Sequence, residues 1–293
     1  MGGIFVKYHT SGAVARLSPM AMASGENMFL SDFQPIISNL PRDLDYADIY
    51  FIHDLHYGAE LFDEKKWKAL KDKVQADDHI YVCWVGDLME NAIPNSKSDV
   101  FTQRCSPAEQ KEWITQQLSD LKDKTLAVVP GNHEYNRTTK MSGLYPLYDC
   151  CVMAGIDAKY RNNIGFLDIG IGESANNIKK QVHYFGQIQH KAKDIKAVCS
   201  ADYTDGIDFF AYGHTHEAHS HPRAKLVFDA HNKCVMKRNV LSVNSGSFCQ
   251  FGGYGAKEGY RPQSDAMYKI RIYGGKKAME ATEYYLKDTT YKL

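Results

Sequence analysis

The stretch VVPGNHEYNR, residues 128–137, joins an apolar run to an amide, an imidazole and a carboxylate with only Pro130 and Gly131 between. Val128 and Val129 suit a buried strand, and the Pro-Gly pair stops it. Asn132, His133 and Glu134 have no use in an apolar core, but a rigid strand end can aim them. Whether that reading decides a fold depends on how the other strands of the chain end.

Four more segments read as strands that finish on polar groups. DIYFIHDLH (48–56) ends in Asp54-Leu55-His56, and HIYVCWVGD (79–87) ends in Gly86-Asp87. QVHYFGQIQH (181–190) closes on His190, and IDFFAYGHTH (207–216) ends in Gly213-His214-Thr215-His216. Their near-continuous apolar character is that of strands covered on both faces. Residues two apart in extended chain point the same way, so Asp54 with His56, and His214 with His216, are expected as same-face pairs. Open α/β sheets place their sites just beyond the carboxyl ends of the strands, where such groups converge.

Between these strands the pattern is helical. Residues 60–75 set Trp67, Leu70 and Val74 on one face. Residues 106–123 form the clearest helix: Ser106 caps it, Pro107 fits its first turn and Glu109 completes a capping box. Further helices are expected over 144–154 and near 191–201. Past residue 222 the helical signals stop, and KLVFDA, NVLSV, MYKIRIY and ATEYYL read as strands. Alternating strands and helices followed by a strand-rich tail predict a layered α/β fold with two sheets. Residues 1–43 show no sustained period and are read as an N-terminal extension of undefined role (an arm, a short strand and loop, or an oligomerisation segment), with one domain over 44–293.

The donor types make one chemical set. Imidazoles, carboxylates and a neutral amide oxygen suit borderline divalent metals rather than calcium, and no cysteine joins them as it would in a structural zinc site. Singly, each motif also reads as an ordinary strand-end turn; together and in this order they point to a metal centre. Asp54-x-His56, Gly86-Asp87, Gly131-Asn132-His133-Glu134 and Gly213-His214-x-His216 resemble the calcineurin-like metallophosphoesterase family over about residues 48 to 250. GDLMENA, SPAEQ and NSGSF are further similar to phage and prophage members.

That resemblance implies a four-layer α/β/β/α sandwich of two mixed sheets flanked by helices. It implies two divalent ions, manganese foremost, with iron, zinc, nickel or magnesium as alternatives. Asp54, His56 and His216 would hold the first ion, Asn132 and His214 the second, and Asp87 both. One more histidine is expected on the second ion: His190, at a strand end, is favoured over mid-strand His183. A hydroxide shared by the ions would attack phosphorus, with His133 protonating the leaving oxygen or stabilising transition-state charge. Arg137 and His219 are candidates for touching substrate, against the plainer reading of a surface arginine and an exposed loop. Ser245-Gly246-Ser247-Phe248 either lines the site or is simply a turn.

The expected activity is that of a metal-dependent phosphoesterase, first of all a phosphodiesterase on DNA, RNA or a nucleotide. A phosphomonoesterase on a nucleotide or phosphoprotein is the alternative, as is a non-catalytic scaffold on the same fold. Lys+Arg and Asp+Glu both number 35, so formal net charge is zero, and bulk charge gives no footprint of a nucleic-acid-coating protein. There is no apolar stretch of membrane-spanning length and no continuous apolar region in MGGIFVKYHTSGAVAR. With seven cysteines at no scaffold-like spacing, a cytoplasmic protein with reduced thiols is expected. The sequence does not fix an oligomeric state.

Overall fold

The computed structural model describes residues 32–94, 96, 98–176, 180–191, 204–257, 259 and 261–286. Its strands are β1 (Ile36–Asn39), β2 (Tyr46–Ile52), β3 (Ile80–Val85), β4 (Thr125–Val129), β5 (Gly165–Ile171), β6 (Val182–Ile188), β7 (Phe209–Tyr212), β8 (Ala218–Asp229), β9 (Cys234–Ser245), β10 (Met267–Tyr273) and β11 (Met279–Tyr284). The longer helices are α1 (Glu64–Ala76), α2 (Pro107–Asp120) and α3 (Pro146–Ala154).

Alternate residues of β2 face different neighbours, and that division organises the molecule. Ala47, Ile49 and Phe51 pack with Leu167, Ile169, Phe209 and Val243 of the other sheet. Tyr50 and Ile52 instead meet Trp67, Leu70, Ile114, Leu118 and Leu147, delivered by α1, α2 and α3. A strand buried on both faces needs an unbroken apolar run, which explains why DIYFI and IYVCWV lack the alternation of a half-exposed strand. The architecture is therefore two mixed sheets face to face, flanked by helices. One sheet runs β11-β10-β2-β3-β4 and the other β1-β5-β6-β7-β9-β8.

Within the first sheet β2, β3 and β4 are mutually parallel, and within the second β6, β7 and β9 are. Cross-sheet hydrogen bonds join their carboxyl ends: His190 Nδ1 lies 2.7 Å from the Val85 carbonyl, and the His214 N–H donates to Asp54 at 2.8 Å.

Two strands have no counterpart in the sequence reading. β5 is diluted by Gly165 and Gly170, which weakens its apolar signal. β1 falls within the expected extension and pairs in parallel with β5, adding an edge to the sheet. Residues 1–31, and all but Lys191 of the helix expected near 191–201, lie outside the described residues. Among the described residues no helix is long and apolar enough to cross a membrane, and Cys83, Cys105, Cys150, Cys151, Cys234 and Cys249 are free thiols.

Candidate metal centre

The strands stop two or three residues before the polar groups, and at most of these groups the chain is no longer extended. Asp54 (φ 48°), His56 (φ 49°), Asp87 (φ 49°), His214 (φ 74°) and His216 (φ 60°) all occupy the left-handed region. Same-face pairing by strand pleat, as expected for Asp54 with His56 and for His214 with His216, is therefore corrected: left-handed turns do that work. Each such conformation costs a non-glycine residue about 1–2 kcal/mol. Five of the seven non-glycine residues with positive φ among those described sit here, and strain of this kind concentrates at functional sites.

Glycines let the loops touch. A Cβ on Gly131 would lie 2.1 Å from Asp87 Oδ1 and 2.2 Å from the Asp87 nitrogen. A Cβ on Gly86, whose φ is +80°, would lie 2.5 Å from the Gly131 nitrogen. The buried Glu134 carboxylate then ties the two loops together. It accepts N–H bonds from Asp87 (3.1 Å), Leu88 (2.7 Å), Met89 (3.0 Å) and Gly131 (2.8 Å).

Asp54 is wholly buried, and its two oxygens differ. Oδ2 accepts from the His214 N–H and lies 2.8 Å from His53 Nδ1. Because His53 Nε2 accepts the Ser245 N–H at 3.0 Å, the proton of its neutral ring sits on Nδ1 and is donated to Asp54. Oδ1 has no hydrogen-bond partner. It lies 3.5 Å from His216 Nε2, 3.7 Å from His56 Nε2 and 3.9 Å from His190 Nε2.

His190 is oriented the same way. Its Nδ1 donates to the Val85 carbonyl, so Nε2 is the ring nitrogen turned to the site, 3.0 Å from Asp87 Oδ2 and in no well-aligned hydrogen bond. Buried Asn132 Oδ1 also lacks a partner. His56 Nδ1 faces Glu90 Oε2 at 3.1 Å, while its Nε2 lies 3.2 Å from His216 Nε2. His133 stands between the parts: its N–H donates to Asp87 Oδ1 at 2.7 Å, and its Nδ1 lies 3.2 Å from His56 Nδ1.

The donor atoms fall into compact groups. Those of Asp54, His56 and His216 all lie within 4.8 Å of one another, as do those of Asp87, His190 and His214, and those of His56, Asp87 and His133. Electrostatics agree that cations belong here. Burial would raise the Asp87 carboxyl, but His133 and His190 beside it hold it far below the usual range. Burial would lower His190, yet Asp87 outweighs it and pushes the imidazole up to about 9. Burial pushes both His133 and His216 down to about 4, leaving neutral rings with lone pairs to share. Three buried polar atoms without hydrogen bonds, amid two buried carboxylates and neutral imidazoles, fit divalent ions and little else.

Other expected residues lie elsewhere. His183 is on β6, its side chain 42% exposed and bonded to Asp168 at 2.7 Å, so it is not brought to the cluster. Arg137 is committed to Glu90 Oε1 at 3.0 Å and Ser98 Oγ at 3.1 Å, so it braces a carboxylate of the site. His219 accepts from the buried Tyr212 hydroxyl. With Glu217, His221, Gln263 and Ser264 it lines a cavity of about 480 Å³ that begins at the residue after His216. Ser247 Oγ and the Phe248 N–H both donate to the Asp54 carbonyl, at 3.0 and 3.1 Å, and so buttress that loop from behind.

His53 and Glu90 are the residues sequence reasoning missed. A histidine beside Asp54 in an otherwise apolar run, and a carboxylate three residues after Asp87, were the available signals.

No family model matches the chain, and no curated protein matches it. Solved structures are similar at a distance. A predicted phosphoesterase from Streptococcus pneumoniae shares 12% identity, with 85% of this chain and 95% of that one covered and a TM-score of 0.35. Vacuolar protein sorting 29 from Entamoeba histolytica, complexed with zinc, shares 11%, covering 82% and 99% at 0.36. A metallophosphoesterase from Sphaerobacter thermophilus shares 12%, covering 81% and 89% at 0.37. Likenesses this remote decide nothing about the chemistry, which rests on the residues themselves.

Proposed function

We propose that the chain is a metal-dependent phosphoesterase with two divalent ions, and that its substrate is a phosphodiester of the nucleotide or nucleic-acid class. The observation that carries this reading is the close grouping of donor atoms of Asp54, His56 and His216 and of Asp87, His190 and His214, with buried Asp54 Oδ1, Asn132 Oδ1 and His190 Nε2 lacking hydrogen-bond partners. Asp54, His56 and His216 would hold one ion, Asn132, His190 and His214 the other, with Asp87 shared. Manganese heads the expected metals by the sequence resemblance, and a nitrogen and oxygen donor set without thiolate suits iron, zinc and nickel as well. When bound, such ions neutralise phosphate charge and bring the pKa of water toward neutrality.

The chain's own residues do the rest. His53 and the His214 N–H hold Asp54 Oδ2, so that Oδ1 alone is presented inward. Glu90 fixes the ring of His56, and Arg137 holds Glu90 in turn. His133, neutral and buried in the site, donates a hydrogen bond to a phosphate or leaving-group oxygen. Charge developing on that oxygen raises its basicity in the transition state, where the donated bond counts most. The diester preference rests on the sequence resemblance alone, and the net charge of zero argues against a long nucleic acid as the substrate.

Hydrolysis of a chromogenic phosphodiester and its monoester, in Mn²⁺ and in EDTA, beside His133→Ala, tests the proposal. Metal-dependent diesterase activity that falls about 10²–10⁴-fold in the variant is expected. Faster monoester turnover would move the substrate class to phosphomonoesters. Absence of turnover with two ions bound would overturn the catalytic reading in favour of a binding scaffold.

A further inference from the structure

The hairpin of β8 and β9 outgrows its sheet. β7 pairs with β9 only over Leu241–Asn244, so from Val240 outward β8 is the one strand paired with β9 among the described residues, and Val240 and Arg238 reach back to Ile207 and Asp208. Among the described residues β8 is the end strand of its sheet. The projecting ribbon is unusually apolar for a surface element: Leu226 is 78%, Phe228 66% and Val235 59% exposed. Leu226 and Phe228 point to one face, and the register puts Val235 opposite Phe228, on that same face. A two-stranded ribbon is marginal by itself in water, and an apolar edge strand is a template for another strand.

We propose that this edge pairs with the same edge of a second copy of the chain, antiparallel and centred on Val227. The sequence Lys225-Leu226-Val227-Phe228-Asp229 is self-complementary in that register. Lys225 faces Asp229 of the second copy, Leu226 faces Phe228 of the second copy, and Val227 faces its own counterpart. Each charge meets its opposite and each apolar residue another, in a closed two-fold contact. The side chains of Val235, Phe228 and the second copy's Leu226 then form one row across three strands of a four-stranded sheet. A slip of one residue sets Lys225 against Phe228 and turns the apolar face over, so the register is strongly specified. Pro222, which lacks an N–H, bounds the edge that can pair.

Sedimentation velocity of the full chain over a concentration series, together with a cysteine placed on the two-fold axis, tests this independently of any activity. In a Cys234→Ser background, Val227→Cys is oxidised with copper phenanthroline beside Leu226→Cys. Paired strands set facing Cα atoms about 4.5–5.5 Å apart, within disulfide reach. A concentration-dependent dimer, rapid crosslinking at 227 but not at 226, and at least tenfold weaker association in Leu226→Lys are expected. A chain that stays monomeric throughout overturns the proposal and leaves the face to another occupant. A dimer that Val227→Cys does not crosslink, or that Leu226→Lys leaves intact, overturns it as well.

Discussion

Single side chains at the candidate metal centre carry separable duties, and Glu90 shows how much can hang on one. Its carboxylate meets His56 at 3.1 Å, His133 at 3.6 Å and Arg137 at 3.0 Å. Burial would raise Glu90, but His56 and His133 hold it down at about 2, so it is anionic at neutral pH. Glu90→Gln keeps the shape and removes the charge that orients His56. We expect metal affinity or turnover to fall about 10–100-fold, the usual cost of losing a carboxylate behind a histidine ligand. Titration with Mn²⁺ and steady-state kinetics check this. At this scale the sequence named Asp54, His56, Asp87, Asn132, His133, His214 and His216 because donor type and strand-end position are both written in the chain. It could not show the left-handed backbone at five of the site residues, nor the tautomer of His53. Those depend on which distant N–H or carbonyl a folded loop happens to meet.

Among the secondary-structure elements, β2 and β10 show how charge is built into the sheet. Asp48 on β2 is paired in register with Arg271 on β10, and it takes hydrogen bonds from Arg271 at 2.7 and 2.9 Å and from Lys269. Burial pushes the Asp48 carboxyl up, but Arg271 and Lys269 more than offset this and hold it below 3.8. A lowered folded-state pKa means stability that is present above the unfolded value and lost as pH falls through the folded one. Asp48→Asn should thus cost about 1–3 kcal/mol near neutral pH. The gap between wild type and variant should close as pH drops below 3.8, which denaturant unfolding across pH would reveal. The parallel strands were legible because continuous apolar runs ending in turn residues are distinctive. β5 was not, since its glycines blur the pattern, and the full 12-residue lengths of β8 and β9 were not. Their outer halves are held by each other rather than by a core, so no burial pattern marks them.

On the scale of the whole molecule, two sheets bring the carboxyl ends of their parallel strands to one edge and bury Asp54 and Asp87 there. Two sheets flanked by helices could be anticipated from the order of strands and helices. The pairing of β1 with β5 could not, because four residues in a segment without periodicity say nothing of a partner over a hundred residues away. Binding of ions to the folded chain alone must stabilise it, by about 2.7 kcal/mol at a hundredfold excess over Kd. Thermal unfolding should accordingly occur at lower temperature in EDTA than in Mn²⁺, with a smaller difference in Asp54→Asn, which lacks the carboxylate of one of the two ion sites. The most direct measurement is elemental analysis of the purified chain after saturation with Mn²⁺ and removal of free ions. Two ions per chain are predicted, falling below two in Asp87→Asn, whose carboxylate both ions would share. A value of one or none in the wild type, or two in the Asp87→Asn variant, would contradict the two-ion centre.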